Sequence, residues 1–263
     1  MDDNNLFLKK IEDRFQRFQS SYAVENGDFL SLEEQSKAGR LMRSLSSQGA
    51  FFYGGYDEAE RRLPIFMPDY TGVKDEKELL EYFTTYPDEC PLCILKVSVP
   101  RQEGVSLGHH DYLGALMGEG IKREKIGDIL VHKDHAQIIL LKELGEFLKD
   151  DLSTVGRASV NTELLSIDQV DPGEIKKELH RYNLASPRLD NVISSIFNLS
   201  RKAAQEAISR GLVFIDGSET VKPDYQLKPN QKIVLRGKGK AIYLDTDGTS
   251  RKGKVYINVI KYI

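Results

Sequence analysis

Hydrophobic positions in this chain change period several times, and each change predicts an element. Leu6, Ile11, Phe15 and Phe18 share one helical face, with Lys, Glu and Arg between them. Ser31 followed by Glu34 has capping-box spacing and predicts a second helix through Leu41, Met42 and Leu45, stopped at Gly49. Strands are expected over 50–53 and 63–67, the latter interrupted at Pro64, with Gly54-Gly55 turning between them. Farther on, strands at 94–99, 126–131, 136–141 and 160–165 enclose helices at 109–117 and 142–152. That β-α-β-β-α-β order is the ferredoxin-like split βαβ unit, shared by RNA-recognition modules. Its third strand, 135–141, carries none of the aromatics such modules use to stack bases.

The polar stretch 168–185 predicts a linker with a short helix over 174–180. A separate apolar pattern follows. Ser186 as N-cap and Pro187 at the first helical position open a helix whose stripe is Leu189, Val192, Ile193, Ile196 and Phe197. Ser200 caps another helix with an inner face of Ala203, Ala204, Ala207 and Ile208, and Gly211 sits where a left-handed C-terminal residue belongs. Strands at 213–216, 233–235, 241–244 and 255–260 complete a small sheet, with a turn at Gly217. The chain is therefore expected to be α+β in four parts: an N-terminal α/β segment, 1–91; a ferredoxin-like unit, 92–167; a linker, 168–185; and a small C-terminal domain, 186–263.

Length and composition are consistent with two or three modules: 263 residues, 40% hydrophobic and 29% charged. No apolar run is long enough to span a bilayer, the polar start Met1-Asp2-Asp3-Asn4-Asn5 does not read as a secretory signal, and two cysteines cannot staple a fold this size. A cytoplasmic protein with no membrane partner is expected. The net charge of −3 hides a division, because residues 187–263 hold 14 Lys and Arg against 7 Asp and Glu, a net of +7 that leaves −10 for the rest. A basic module on an acidic body suits a polyanion partner, although it also suits a domain that only balances its neighbour.

Within the basic module, Arg201, Lys202, Gln205 and Ser209 fall on or near the outward face of the second helix. Two cations in a first turn work against the helix dipole, and a phosphate partner would account for keeping them. Arg188 begins the preceding helix in the same way, and glycines beside Arg236, Lys238 and Lys240 allow close approach to a sugar-phosphate backbone.

At these residues the sequence resembles the S4 RNA-binding domain. Pro187-Arg188-Leu189-Asp190, Ser200-Arg201 with Ile208 and Gly211, Val213-Phe214-Ile215-Asp216-Gly217 and Leu235-Arg236-Gly237 carry the resemblance over about 75 residues. It implies two helices on a twisted sheet, the αL motif, with Arg188, Ser200, Arg201, Gln205, Arg210 and the Arg236 loop lining the RNA surface. Asp216 stands where that family usually has Asn, a replacement the turn should tolerate. The run from His110-Asp111-Tyr112 through Gly127-Asp128-Ile129, with Phe52-Tyr53-Gly54-Gly55 and Glu60-Arg61-Arg62, resembles the YlmH family of bacterial S4-domain proteins over essentially the whole chain. That resemblance implies association with the large ribosomal subunit, contacts to 23S rRNA and peptidyl-tRNA, and a part in rescuing stalled nascent chains.

Other candidates read as structural. Cys90-Pro91-Leu92-Cys93 has redox spacing but no second pair for zinc. His109-His110, His132 and His135 read as helix-end and strand-surface residues, and Asp245, Asp247 and Gly248 as a hairpin turn rather than a calcium loop. Gly114, Gly118 and Gly120 form no phosphate cradle and are expected to let a helix pack closely and end sharply. No metal or cofactor is expected. The rival is an RNA-modifying enzyme, pseudouridine synthase-like or methyltransferase-like, targeted by its S4 domain; Asp111 is the acid such chemistry would be sought in. Its only Arg-Leu-Asp lies inside the S4 unit, and no glycine-rich cofactor loop follows a strand, so a non-enzyme is expected. A protein-interaction adaptor tethered by its S4 unit is the third reading.

Overall fold

The computed structural model describes residues 3–100, 106–173, 176–250 and 253–262. The chain forms two compact units, 1–173 and 174–263.

In the first unit, helix α1 (Asp3–Ser21) lays Ile11, Phe15 and Phe18 into a cluster with Ala38, Met42, Ala50 and Phe66. Leu6, expected on that face, is exposed, and Phe7 packs against the cluster instead. Phe7 is four residues before Ile11, whereas Leu6 is five before it and rotated off the stripe. Strand β1 (Glu25–Asn26) precedes helix α2 (Leu32–Leu45), whose capping box is complete: Glu34 N–H donates to Ser31 Oγ at 3.3 Å and Ser31 N–H to the Glu34 carboxylate at 2.7 Å. Strands β2 (Ala50–Tyr53) and β3 (Leu63–Phe66) form a sheet of order β1-β3-β2, and β3 continues through Pro64. Helix α3 (Glu76–Thr85) is not foreseen above. Asp75 caps it by accepting the Lys77 and Glu78 N–H groups, and it buries Leu79 and Phe83.

Strand β4 (Leu92–Ser98), helix α4 (His109–Gly118), strands β5 (Ile126–Val131) and β6 (His135–Leu141), helix α5 (Lys142–Asp151), a β7 (Thr154–Val155)–β8 (Ala158–Ser159) hairpin and strand β9 (Asn161–Leu165) follow. Their antiparallel sheet has the order β5-β6-β4-β9, the expected ferredoxin-like arrangement with an added hairpin. One face meets α4 and α5 through Leu95, Val97, Ile138, Leu140, Tyr112, Leu116 and Leu148. The other carries Leu92, Ile94, Ile139 and Leu141 into a second cluster with Phe29, Leu63, Ile65, Leu79 and Phe83. The face on which RNA-recognition modules stack bases is thus buried under residues of segment 1–91. Polar bonds pin that layer: Asp128 accepts from Tyr56 Oη at 2.8 Å, Glu60 N–H at 2.7 Å and Arg61 N–H at 3.0 Å. Arg61 donates to the Ile126 and Phe29 carbonyls, both at 2.9 Å.

The second unit begins with a correction. Residues 177–184, expected within a linker and partly in a helix, form strand β10 (Lys177–Leu184), paired with β15 along its whole length. It is an edge strand, so only Tyr182 and Leu184 need to be apolar, on the side facing the core. Helices α6 (Leu189–Ile196) and α7 (Arg201–Ser209) cover a sheet built from β11 (Val213–Ile215), β12 (Ser218–Glu219), β13 (Gln231–Leu235), β14 (Gly239–Thr249) and β15 (Val255–Tyr262), in the order β10-β15-β14-β13-β11-β12. Leu189, Val192, Ile193 and Ile196 meet Ala204, Ile208, Ile233, Ala241, Ile257 and Val259 in one core. Arg188, not Ser186, is the N-cap of α6, because Leu189 and Asp190 N–H donate to the Tyr225 and Pro223 carbonyls and start the helix two residues later. Asp245, Asp247 and Gly248, expected as a turn, lie in β14 at a bulge, with Asp247 2.8 Å from Arg181. Among the described residues no helix is long and apolar enough to cross a membrane.

Candidate RNA interface

The surface expected to meet RNA is organised by a residue that the sequence reading leaves out of the site. Asp190, in the first turn of α6, has no solvent exposure. Its carboxylate accepts from Arg188 Nε and Nη2, each at 3.2 Å, from Gln205 Nε2 at 3.0 Å, from Arg201 Nη2 at 3.4 Å and from the Asn191 N–H at 3.0 Å. Burial alone would raise its pKa, but the bonds from Arg188 and Gln205 and the charges of Arg188 and Arg201 outweigh it and leave the carboxyl below the ordinary aspartate value. Arg188 is correspondingly held more firmly protonated, first by its hydrogen bond to Asp190 and then by that residue's charge. One buried anion therefore fixes three of the expected interface side chains. The signal was in Arg188-Leu189-Asp190, an acid two residues after a cation at a helix start.

The remaining residues stand around this cluster differently. Ser200 caps α7, its Oγ accepting Ala203 N–H at 3.1 Å. Lys202 projects into solvent, 4.0 Å from Glu206 one turn on. Arg210 ends α7 and is exposed. Beside it, Arg236 N–H donates to the Leu212 carbonyl at 2.9 Å, which sets the 236–240 loop against the end of α7, with the Arg236 guanidinium 5.8 Å from the Phe214 ring centre. Gly237 and Gly239 have φ of +75° and +127°, which an L side chain would strain; Lys238 is exposed in the turn, while Lys240, expected in the loop, is half-buried in β14 opposite Val234. Asp216 and Gly217, both at positive φ, make the two-residue turn joining β11 and β12. There Asp216 also accepts Lys232 N–H at 2.8 Å, which explains how Asp serves at this position.

Candidates for other chemistry are committed elsewhere. Burial pushes the Cys90 thiol up to about 11 and the Cys93 thiol up to about 12, so neither supplies a nucleophile near neutrality. The His132 and His135 rings stack at 4.5 Å, and among the described residues no three His, Cys, Asp or Glu are grouped to hold a metal. Asp111 accepts Gly108 N–H at 2.7 Å, a capping role. Gly114 and Gly118 have no neighbour where a Cβ would sit, so close packing does not explain them; Gly120, at φ +80°, supplies the sharp end.

Comparison with known proteins follows the same division. A family model described as "Putative RNA-binding domain in YlmH" matches residues 88–169, and one for the S4 domain matches residues 187–233. The chain is 28% identical over 256 residues to "Ribosome-associated protein quality control protein P2" of Bacillus subtilis (strain 168), covering 96% of this chain and 93% of that protein. It is 33% identical over 79 residues to the small ribosomal subunit protein uS4 of Latilactobacillus sakei, covering 28% of this chain and 39% of uS4. A solved structure, "Cell division protein ylmH from Streptococcus pneumoniae", aligns at 19% identity and a TM-score of 0.47, over 65% of this chain and 96% of that one; a likeness this distant bears on neither fold nor function.

Proposed function

We propose that this chain, whose residues 88–169 match the putative RNA-binding domain in YlmH and 187–233 the S4 domain, is a YlmH-like, non-enzymatic, cytoplasmic RNA-binding protein working in ribosome-associated quality control. In this reading the S4 unit grips 23S rRNA of the large subunit, and the bound protein also meets peptidyl-tRNA of stalled nascent chains. The observation that carries it is the clasp around Asp190, in which Arg188, Arg201 and Gln205 are oriented before any RNA arrives. Arg188, Ser200, Arg201, Lys202, Gln205, Arg210, Arg236, Lys238 and Lys240 form the footprint. Preorganisation favours phosphate binding, because less side-chain freedom is lost on contact. The buried sheet face of the first unit supports assigning the main footprint to the S4 unit. Against the enzyme reading, the one Arg-Leu-Asp acid is buried and held by two arginines, so it is not free to attack a base.

Co-sedimentation with large subunits at two salt concentrations tests this. Arg201→Ala with Lys202→Ala should abolish most binding, each lost phosphate contact reducing the slope of log affinity against log salt by about 1. The fold should survive, since Lys202 is solvent-borne and Asp190 retains Arg188 and Gln205. Arg201→Lys, which keeps charge but not the planar fork, should fall between. Arg14→Ala with Arg17→Ala, on α1, should bind nearly normally. Unchanged affinity and slope in a folded double mutant would remove the S4 surface from the proposal. RNA crosslinked in cells should be ribosomal; a modified nucleotide at the crosslink would favour the enzyme instead.

A further inference from the structure

The first unit carries an exposed aromatic surface that the RNA reading does not use. Tyr22, Tyr70 and Tyr86 are 49%, 62% and 52% exposed. Tyr22 and Tyr70 meet edge to face at 5.9 Å, and Tyr82 and Tyr86 lie 4.9 Å apart. Both pairs draw on one short stretch of chain: Tyr70 lies in the 69–71 turn just before α3, Tyr82 lies on α3 and Tyr86 is its C-cap. At the Tyr22 end the surface opens into a groove of about 660 Å³, floored by Phe18, Phe51, Met67 and Val73.

The charge around these rings is one-sided. Between residues 69 and 89 the chain carries seven Asp and Glu against two Lys. Tyr22 donates its hydroxyl to Asp69, and Tyr82 donates to Glu89 at 2.7 Å, so both rings are fixed beside carboxylates. Asp75 and Glu76 are engaged in the α3 cap and with Arg62, and Asp88 lies 3.7 Å from Lys142, while Glu81 stands exposed. A phosphate backbone would be repelled here. A guanidinium or ammonium would find a π face and a carboxylate together.

We propose that this tyrosine face and its groove, in residues 18–22 and 67–89, form a docking site for an extended Arg- and Lys-rich segment of a partner protein. Arginine is preferred to lysine, because its planar group stacks on a tyrosine and reaches a carboxylate at once. The inference is independent of the S4 footprint, since it concerns the other unit and a partner of opposite charge.

Fluorescence anisotropy with the full chain and labelled (Arg-Gly)6, (Lys-Gly)6 and a twelve-nucleotide single-stranded RNA tests it. (Arg-Gly)6 should bind more tightly than (Lys-Gly)6. Tyr70→Ala with Tyr86→Ala should weaken it about five- to thirtyfold, the loss expected for two exposed cation–π contacts. Tyr70→Phe with Tyr86→Phe should keep most of the binding, because the ring faces remain, and this pair separates lost contact from lost fold. Asp150→Asn with Asp151→Asn, which removes two negative charges on α5 and no aromatic ring, should change little. Binding that ignores the tyrosines, or falls as much in the α5 control, would mean a diffuse charge effect and overturn the proposal. So would a tyrosine pair whose loss weakens the RNA oligonucleotide, or abolishes self-association in sedimentation, instead of peptide binding.

Discussion

Replacing Asp190 by Ala should separate the two jobs of the S4 clasp, holding the fold and orienting the RNA-facing side chains. The substitution removes the acceptor for Gln205 at 3.0 Å, the Asn191 N–H at 3.0 Å and two arginines. Bonds from Gln205 and the Asn191 N–H to the buried carboxylate contribute about 1.5 kcal/mol each, whereas Arg188 and Arg201 reach solvent and their pairs add little. Relief of the buried charge's desolvation offsets part of the total, leaving about 2–3 kcal/mol of destabilisation at pH 7. For a unit of this size that lowers its Tm by roughly 10–20 °C, measurable by calorimetry.

The pH dependence has a definite sign. The folded carboxyl lies below its unfolded value, so its contribution is complete above about pH 4 and is lost as pH falls through the folded pKa. Wild-type S4 stability should therefore drop below about pH 4, and Asp190→Ala should lack that component. RNA binding gives the sharper test, because the variant keeps every cation. Affinity measured well below its Tm should fall about tenfold, the cost of ordering arginines no longer oriented, while the salt slope stays at the wild-type value. A folded Asp190→Ala protein binding RNA as tightly as wild type would show that the clasp serves stability alone and refute preorganisation.

Four further outcomes follow from other contacts. Asp128→Ala should destabilise the first unit by about 2–4 kcal/mol in denaturant unfolding, since it leaves Tyr56 Oη and the Glu60 and Arg61 N–H groups without their acceptor; a change under 1 kcal/mol would mean the apolar layer alone closes the sheet. Gly145→Ala, whose new Cβ would run into Cys93 Sγ, should cost about 1–3 kcal/mol, and adding Cys93→Ala should recover part of that; strict additivity would sink the contact. At pH 8 only about one thiol in a thousand at Cys90, and fewer at Cys93, should be thiolate, so alkylation should track unfolding; rapid labelling of the native protein would contradict their burial. A fragment of residues 174–263 should unfold cooperatively, whereas 186–263, lacking β10 with its buried Leu184, should be weaker by about 2–4 kcal/mol, and equal midpoints would make β10 dispensable.

Elements whose apolar residues face a single core were legible in the sequence. The stripe Leu189, Val192, Ile193, Ile196 is the inner face of α6, and the βαββαβ order emerged because each strand and helix has its own period. What escaped depends on partners distant in sequence. Strand β10 exists because β15 pairs with it some 80 residues later, and nothing local distinguishes Lys177-Glu178-Leu179-His180 from a polar linker. Helix α3 is short, but Asp75 before Leu79 and Phe83 was a readable cap and face. Asp190 escaped because an acid in a first turn already has a local explanation in the helix dipole, and only the crossing of α7 brings Arg201 and Gln205 to it.

The covered sheet changes what the ferredoxin-like order means for function. Topology alone would place RNA on the open face of β4 and β6, where such modules offer stacking aromatics. Here that face holds Leu92, Ile94, Ile139 and Leu141, and segment 1–91 closes over it. The missing aromatics of 135–141 and the layer above them are one fact seen twice: a face packed against protein is selected for aliphatic fit, not for stacking. Any partner of the first unit must therefore meet its outer surface, which is acidic overall and bears exposed tyrosines. The two proposals together assign affinity for RNA to the basic unit, and recognition of basic protein to the acidic unit, whose charge repels phosphate.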